Sequence, residues 1–146
     1  MKINYLKFLA FFLLFSLTIN AQKAPLSRPI LMFRGIGTYH DLKSLEAMNK
    51  GELKELYLER LKILVNVIPY YAISTKAGTT MKDMGITESV ENLKVLERES
   101  INRDNYLLAN VDFLNAMIPY CDKINIIQGI LFYEDLLKKI HSGGDE

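Results

Sequence analysis

Apolar residues recur with the helical period through the middle of the chain. Between residues 53 and 68 their spacing places them on one face of a helix with 3.6 residues per turn, and the charged residues lie mostly off this face. The members of this run are Leu53, Leu56, Tyr57, Leu61, Leu64 and Ile68. Asn49 and Glu52 have the spacing of a capping box at its start. Pro69 is expected to end the helix, because proline lacks the amide donor and clashes with the preceding turn.

The same period predicts further helices on both sides of this one. A short helix is predicted after Asp41, whose carboxylate can cap free amide groups. Another begins near Thr87, and a polar joint at residues 100–104 separates it from the next. The last helix begins near residues 122–125. The chain is therefore predicted to be all-α, with a small bundle of about five helices over residues 41–142.

Two stretches fifty residues apart resemble each other. Residues 58–70 and 108–120 each carry an apolar helical stripe into Ile-Pro-Tyr, and five positions are identical between them. The offset suggests two related helical pairs, and the alternative is chance similarity between two apolar helices that both stop at proline. Two copies are too few for a solenoid. In either case the shared string indicates a helix end and identifies no chemistry.

The N-terminal residues have the organisation of a secretory signal peptide. Lys2 and Lys7 give the N-terminus a positive charge and lie before an apolar run over residues 8–19. Ala21 supplies a small residue at the cleavage position. A run of this length is typical of a signal peptide and short for a membrane span; an uncleaved anchor is the alternative. We therefore predict that residues 1–21 are a cleaved signal peptide and that the product is exported, either periplasmic or secreted.

Cleavage would change the charge of the chain. The full sequence has a formal net charge of +1, and the loss of two lysines and no acids gives +1 − 2 = −1. A nearly neutral mature chain has no general attraction for nucleic acid or anionic lipid, so no nucleic-acid partner is predicted. No second apolar run is long enough to cross a bilayer, which predicts a mature chain without a transmembrane span.

The sequence contains no pattern that demands a cofactor or a metal. Cys121 is the only cysteine, which excludes an internal disulfide and covalent haem attachment through Cys-x-x-Cys-His. The two histidines, His40 and His141, lack the Glu-x-x-His pairing of a di-iron bundle. No cofactor and no metal site are therefore predicted. Cys121 is expected to be a half-buried apolar side chain, with an intermolecular disulfide as the alternative.

The extended N-terminal segment, residues 22–40, is the best candidate for binding a partner. Its apolar part has no helical stripe and contains two glycines, which allow close backbone approach. The candidate contact residues are Met32, Phe33, Arg34, Tyr39 and His40. Such a segment can add a strand to the edge of a partner. The alternative is that the segment packs back on its own bundle.

These features favour an exported, non-catalytic helical protein that acts as an interaction or assembly module of a bacterial cell envelope. Its partner would be another envelope protein or further copies of itself in a homo-oligomer. One alternative is a binding protein for a small apolar or aromatic ligand, held in a groove lined by Tyr70, Tyr71 and Tyr120. The other is a small enzyme that uses His40 with a carboxylate. The sequence places no nucleophile beside a base, which makes the non-catalytic role the favoured interpretation.

Overall fold

The computed structural model describes residues 29–30, 36–74, 76 and 78–142. Within them lie four α-helices: α1 (Leu42–Ala47), α2 (Lys50–Val67), α3 (Val90–Met117) and α4 (Lys123–Ser142). The described residues contain no β-strand, and their only strand-like contact is an isolated bridge between Pro29 and Thr80. The all-α class is confirmed, with four α-helices where about five were predicted.

Local capping fixes the starts of the first two helices. Asp41 accepts the amide of Ser44 at 2.8 Å, and the Ser44 hydroxyl accepts the amide of Asp41 at 3.1 Å. Asn49 and Glu52 make the same reciprocal pair before α2, at 3.0 and 2.7 Å. These bonds satisfy amide groups that a helix start leaves without partners. The predicted cap at Asp41 and the predicted capping box at Asn49 are both confirmed.

The difference in helix number comes from α3, which runs unbroken through the predicted joint at residues 100–104. Arg103 donates to Ser100 Oγ at 3.2 Å and to Glu99 at 2.7 Å on the same helix, and to the hydroxyl of Tyr70 at 2.6 Å. These polar side chains find their partners without a break in the backbone ladder. Two predicted helices are therefore one helix of 28 residues.

Each Ile-Pro-Tyr string ends an α-helix, as predicted. A short 3₁₀ turn over Ile68–Tyr70 follows α2, and another over Ile118–Tyr120 follows α3. The two turns differ in burial, since Tyr70 is 6% exposed and Tyr120 is 86% exposed. The similarity between the two stretches is therefore one of helix termination, and their tyrosines have different surroundings.

The contact between α2 and α4 forms the centre of the bundle. Tyr57 of α2 packs on Tyr133 of α4, with ring centroids 5.0 Å apart and hydroxyl oxygens 2.9 Å apart. A Cβ at Gly129 would lie 2.7 Å from Tyr57 Cε2, so glycine permits this close approach of the helices. The main cluster of buried residues consists of Leu45, Leu53, Leu58, Ile118, Ile126, Ile127 and Ile130.

The long helix α3 lies antiparallel to α2. Lys50 at the start of α2 donates to the Pro119 carbonyl beyond the end of α3 at 2.6 Å, and Tyr70 beyond the end of α2 contacts Arg103. None of the 28 residues of α3 is buried, although some are partly covered by the rest of the bundle. The helix therefore covers the core with one side and leaves the remainder of its surface in solvent.

Candidate functional site

A buried ion-pair network joins the N-terminal segment to the two central helices. Glu134 of α4 is 1% exposed and Arg60 of α2 is 3% exposed. Arg60 Nε donates to Glu134 Oε1 at 2.9 Å, and its Nη2 donates to the Thr38 carbonyl at 2.7 Å. The amide of His40 donates to Glu134 Oε2 at 2.6 Å, and His40 Nδ1 lies 2.9 Å from Oε1. One carboxylate therefore holds residues 38–40 against both helices.

The surroundings of Glu134 keep its carboxyl group ionised. Burial raises the pKa of Glu134, but hydrogen bonds from His40 and Arg60, together with the Arg60 charge, outweigh burial and hold the pKa below its ordinary value. Burial and the nearby Glu134 charge raise the pKa of Tyr39, whose buried hydroxyl has no hydrogen-bond partner. A carboxylate that stays ionised and accepts three hydrogen bonds is a poor proton donor near neutral pH. In this network it links residues 38–40 to Arg60 of α2.

The contact between His40 and Glu134 supplies the carboxylate that the enzyme alternative requires, but not the rest of a catalytic site. Among the described residues, no serine, threonine or cysteine side chain forms a hydrogen bond with His40. Cys121 is exposed, and its sulfur contacts the Met117 carbonyl at 3.7 Å. The expected half-burial of Cys121 is therefore wrong, because the 3₁₀ turn places it in solvent beyond the end of α3. Nothing in this geometry activates a nucleophile.

We expect the buried network to make the fold sensitive to acid. Because the folded pKa of Glu134 lies below the ordinary value of 4.5, its stabilising contribution is complete above that pH. The contribution is lost as the pH falls through the folded pKa. Urea unfolding at a series of pH values below the ordinary value should therefore show a steeper loss of stability for the wild type than for Glu134→Gln. Equal slopes for the two proteins would contradict this assignment.

The structure describes two of the five residues predicted to bind a partner. Tyr39 and His40 are half-buried, and His40 is held by Glu134, so this end of the segment packs on its own bundle. Ile30 packs against a second, smaller core cluster formed by Val67 and Tyr70. Outside the described residues lie Met32, Phe33 and Arg34. Partner binding by these five residues stays a prediction.

The three tyrosines predicted to line a ligand groove have different surroundings. The hydroxyl of Tyr70 donates to Glu99 and accepts from Arg103, so this buried ring ties the end of α2 to α3. Tyr71 is half-buried and lines a hollow of about 300 Å³ on the α4 side. Tyr120 stands in solvent. None of the three cavities whose lining is described contains all three tyrosines, and their part in ligand binding stays a prediction.

A larger apolar groove, here called the open groove, lies between α2, α3 and α4. Its volume is about 580 Å³. Its main apolar contacts are Leu61, Leu64, Val65, Tyr106, Phe132 and Leu136. Ile68 and Pro69 also line it, so the groove lies beside the first Ile-Pro-Tyr turn, where the sequence predicted a ligand. Its polar end is formed by the Glu99–Arg103 ion pair, and Arg103 Nε is buried without a hydrogen-bond partner.

A second apolar stripe follows α3 beside the open groove. Its four members, here called the outer stripe, are Val95, Tyr106, Phe113 and Met117. Their spacings of 11, 7 and 4 residues place them on one side of a helix. Their exposed fractions are 49%, 57%, 62% and 46%, in that order. Tyr106 belongs to both features, so the outer stripe adjoins the open groove at this residue, and Glu99 and Asn102 lie on the same side of the helix between Val95 and Tyr106.

The C-terminal half of α3 carries almost no charge. Between residues 105 and 120 the only charged side chain is Asp112. At about 100° per residue, Asp112 lies a quarter of a turn round the helix from Phe113. Leu108 is 63% exposed but lies about 140° from Phe113, on a different side of the helix. The outer stripe is thus exposed, apolar and without charge along its C-terminal half.

The sequence contains this second stripe at a different phase of the helical repeat. Taken as a single face, the apolar residues of this helix would combine Tyr106 and Met117 with Leu107, Val111 and neighbouring residues. Leu107, Val111 and Leu114 are half-buried and point to the bundle, whereas Tyr106 and Met117 are exposed. Adjacent residues differ by about 100° on a helix, so these residues occupy two faces. Sorting them by helical phase separates the two stripes.

Comparison of the chain with protein-family models, with curated proteins and with solved structures finds no match. In the part of the chain that the structure describes, no group of three or more His, Cys, Asp or Glu side chains is placed to hold a metal ion. None of the described helices combines the length and apolarity that a membrane crossing requires.

Proposed function

We propose that this protein is an exported, non-catalytic interaction module that docks on a partner in the bacterial cell envelope through the outer stripe. The observation that carries this proposal is the exposure of α3. The helix has no buried residue in 28 positions, and Phe113 is 62% exposed on its apolar side. Helices in water draw most of their stability from the packing of an apolar face. An apolar face that its own bundle leaves uncovered is suited to docking.

The composition of the outer stripe supports docking. Tyrosine, phenylalanine and methionine are enriched at protein interfaces, and charged residues are depleted at the interface core. Tyr106, Phe113 and Met117 follow this pattern, and Asp112 is turned away from them. The open groove begins beside Tyr106. A docked helix could therefore contact the exposed side chains of the outer stripe and also insert side chains into the open groove.

The proposed site of action follows from the N-terminal sequence. Residues 1–21 have the charge, apolar run and small residue of a signal peptide. The remaining chain would be close to neutral, so an apolar face is a better basis for recognition than a general charge attraction. The Glu134 network contributes by holding residues 38–40 on the bundle.

Affinity purification from the envelope fraction tests the docking function. Phe113→Glu is the test variant and Leu108→Glu is its control, because the two side chains are 62% and 63% exposed on different sides of the same helix. After crosslinking, we expect the wild type and Leu108→Glu to retain the same partner and Phe113→Glu to lose it. Equal recovery of that partner with both variants, or recovery of only the monomer with the wild type, would contradict the proposal.

A second candidate function is the binding of a small apolar or aromatic molecule, and the open groove supports it. Its volume of about 580 Å³ falls within the range of roughly 300–1,000 Å³ that is usual for ligand pockets. Its lining is largely apolar, with Glu99, Asn102 and Arg103 as its polar residues. A molecule with an apolar body and one polar group would match this lining.

Filling the groove tests this second candidate. Val65→Trp would place a large ring in the floor of the groove, and Leu108→Glu leaves the groove untouched. In a titration with the neutral apolar dye Nile red, we expect Val65→Trp to weaken dye binding about tenfold, whereas Leu108→Glu should match the wild type. Equal affinity for Val65→Trp and the wild type would rule out the groove as the binding site.

A further inference from the structure

We infer that Arg60 and Glu134 form a binding site for an extended polypeptide segment of a partner, a site that residues 38–40 of this chain occupy in this structure. Arg60 Nη2 donates to the Thr38 carbonyl at 2.7 Å, and Glu134 Oε2 accepts from the His40 amide at 2.6 Å. Neither Arg60 nor Glu134 lines the open groove. The site is therefore separate from the groove and independent of docking through the outer stripe.

Both of these hydrogen bonds are made to main-chain atoms of the bound segment. Residues 38–40 lie outside any helix, and the contacted groups belong to residues two positions apart, as along one edge of an extended strand. Thr38 is exposed and is held by its carbonyl oxygen. Every residue has a carbonyl group, and every residue except proline has an amide donor. The site can therefore accept segments of other sequences, because main-chain hydrogen bonds supply the affinity.

The donor and the acceptor of this site are held in place by the bundle itself. Arg60 is 3% exposed and Glu134 is 1% exposed, and their side chains pair at 2.9 Å between Nε and Oε1. One belongs to α2 and the other to α4, whose contact forms the centre of the bundle. Groups that are already arranged lose little conformational freedom on binding, which favours the affinity for a ligand.

The chain's own segment is an imperfect ligand at its middle residue. The Tyr39 hydroxyl oxygen is buried and forms no hydrogen bond with the described residues. Lys138 Nζ lies 4.9 Å from the centre of the Tyr39 ring, a contact that phenylalanine would also make. Because a buried hydroxyl without a partner weakens binding, a segment with phenylalanine here should bind more tightly. His40 Nδ1 lies 2.9 Å from Glu134 Oε1, so the favoured ligand has phenylalanine followed by a residue whose side chain donates.

Residues 38–40 can leave the site without unfolding α1. The capping box between Asp41 and Ser44 is local and fixes the start of the helix directly after His40. On the other side of Tyr39, Gly37 and Thr38 are exposed. Release of these three residues is therefore a local opening that leaves the helices folded. A partner segment would then restore the same main-chain hydrogen bonds.

Binding of a separate peptide tests this site. The probe is a fluorescently labelled peptide of residues 36–41, titrated into the purified protein and followed by fluorescence anisotropy. His40→Pro removes the amide donor and the imidazole of the chain's own segment and leaves Arg60 and Glu134 unchanged. We expect His40→Pro to bind the peptide about tenfold more tightly than the wild type, whose own segment competes at high effective concentration. Equal affinity for the two proteins, or no binding to folded His40→Pro, would overturn the inference.

Two altered peptides separate main-chain recognition from adsorption. The peptide carrying Tyr39→Phe should bind His40→Pro about fivefold more tightly than the unaltered peptide, because it buries no hydroxyl without a partner. The peptide carrying His40→Pro lacks the amide that donates to Glu134, so it should bind about tenfold more weakly. Equal affinities for all three peptides would show that binding does not use this site, contrary to the inference.

Hydrogen exchange in the wild type gives a test that does not depend on the folding of His40→Pro. The His40 amide is protected by its bond to Glu134, so displacement of the segment exposes this amide to solvent. At millimolar concentration, the peptide carrying Tyr39→Phe should speed exchange at His40 about tenfold and leave exchange within α3 unchanged. An unchanged rate at His40, or an equal increase throughout the bundle, would rule out displacement at this site.

Discussion

Replacement of Glu134 with glutamine should lower the free energy of unfolding by about 3–5 kcal/mol. The loss is large because the substitution removes the buried carboxylate paired with Arg60 at 2.9 Å and leaves the buried guanidinium only the largely exposed Glu59 as a charged partner, at 3.1 Å. The amide of His40 also loses a charged acceptor at 2.6 Å. Urea denaturation followed by circular dichroism measures the effect.

Two further variants show whether the loss belongs to the buried pair. Asp135→Asn removes the neighbouring carboxylate, which makes an exposed i,i+4 pair with Lys139 and should change stability by no more than about 0.5 kcal/mol. Combining Glu134→Gln with Arg60→Met removes both charges, so we expect a loss smaller than the sum of the single losses by about 2 kcal/mol. Additive losses, or similar losses for Glu134→Gln and Asp135→Asn, would contradict the ion-pair account.

Replacement of Ile130 with alanine should lower the free energy of unfolding by about 2–5 kcal/mol. Ile130 is fully buried in the cluster that α4 shares with α1 and α2, so truncation removes apolar contacts and leaves a cavity. Ile124→Ala on the same helix is the matched control, because Ile124 is 48% exposed and should lose well under half as much. Equal losses at the two positions would show that the core does not centre on this side of α4.

Short-range patterns predicted the helix ends well. The caps at Asp41 and Asn49 and the stops before Pro69 and Pro119 depend on residues within one helical turn, so the sequence contains their full cause. The predicted break at residues 100–104 was wrong because the side chains that suggested it are satisfied partly by a distant residue. Arg103 donates to Tyr70, which lies 33 residues earlier in the chain, and the spacing of apolar residues cannot predict such a contact.

The candidate site was harder to predict for the same reason. Arg60 lies off the predicted apolar stripe of α2, among other charged residues, but it is buried. Its partner Glu134 lies 74 residues away, and His40 lies 94 residues from Glu134. Such pairs form only when helices meet, so a single sequence cannot place them. The outer stripe of α3 was within reach of prediction, because it needs only the phase of apolar residues along one helix.

Site-specific photocrosslinking in the native envelope fraction tests the docking function most directly. A photoreactive phenylalanine analogue is introduced at position 113 or, as the control, at position 108 of the same helix, where the natural side chains are 62% and 63% exposed. If the outer stripe is the docking face, position 113 gives a discrete adduct on irradiation and position 108 gives none. Adducts of equal yield at both positions, or an adduct at position 108 alone, would contradict the docking function proposed for α3.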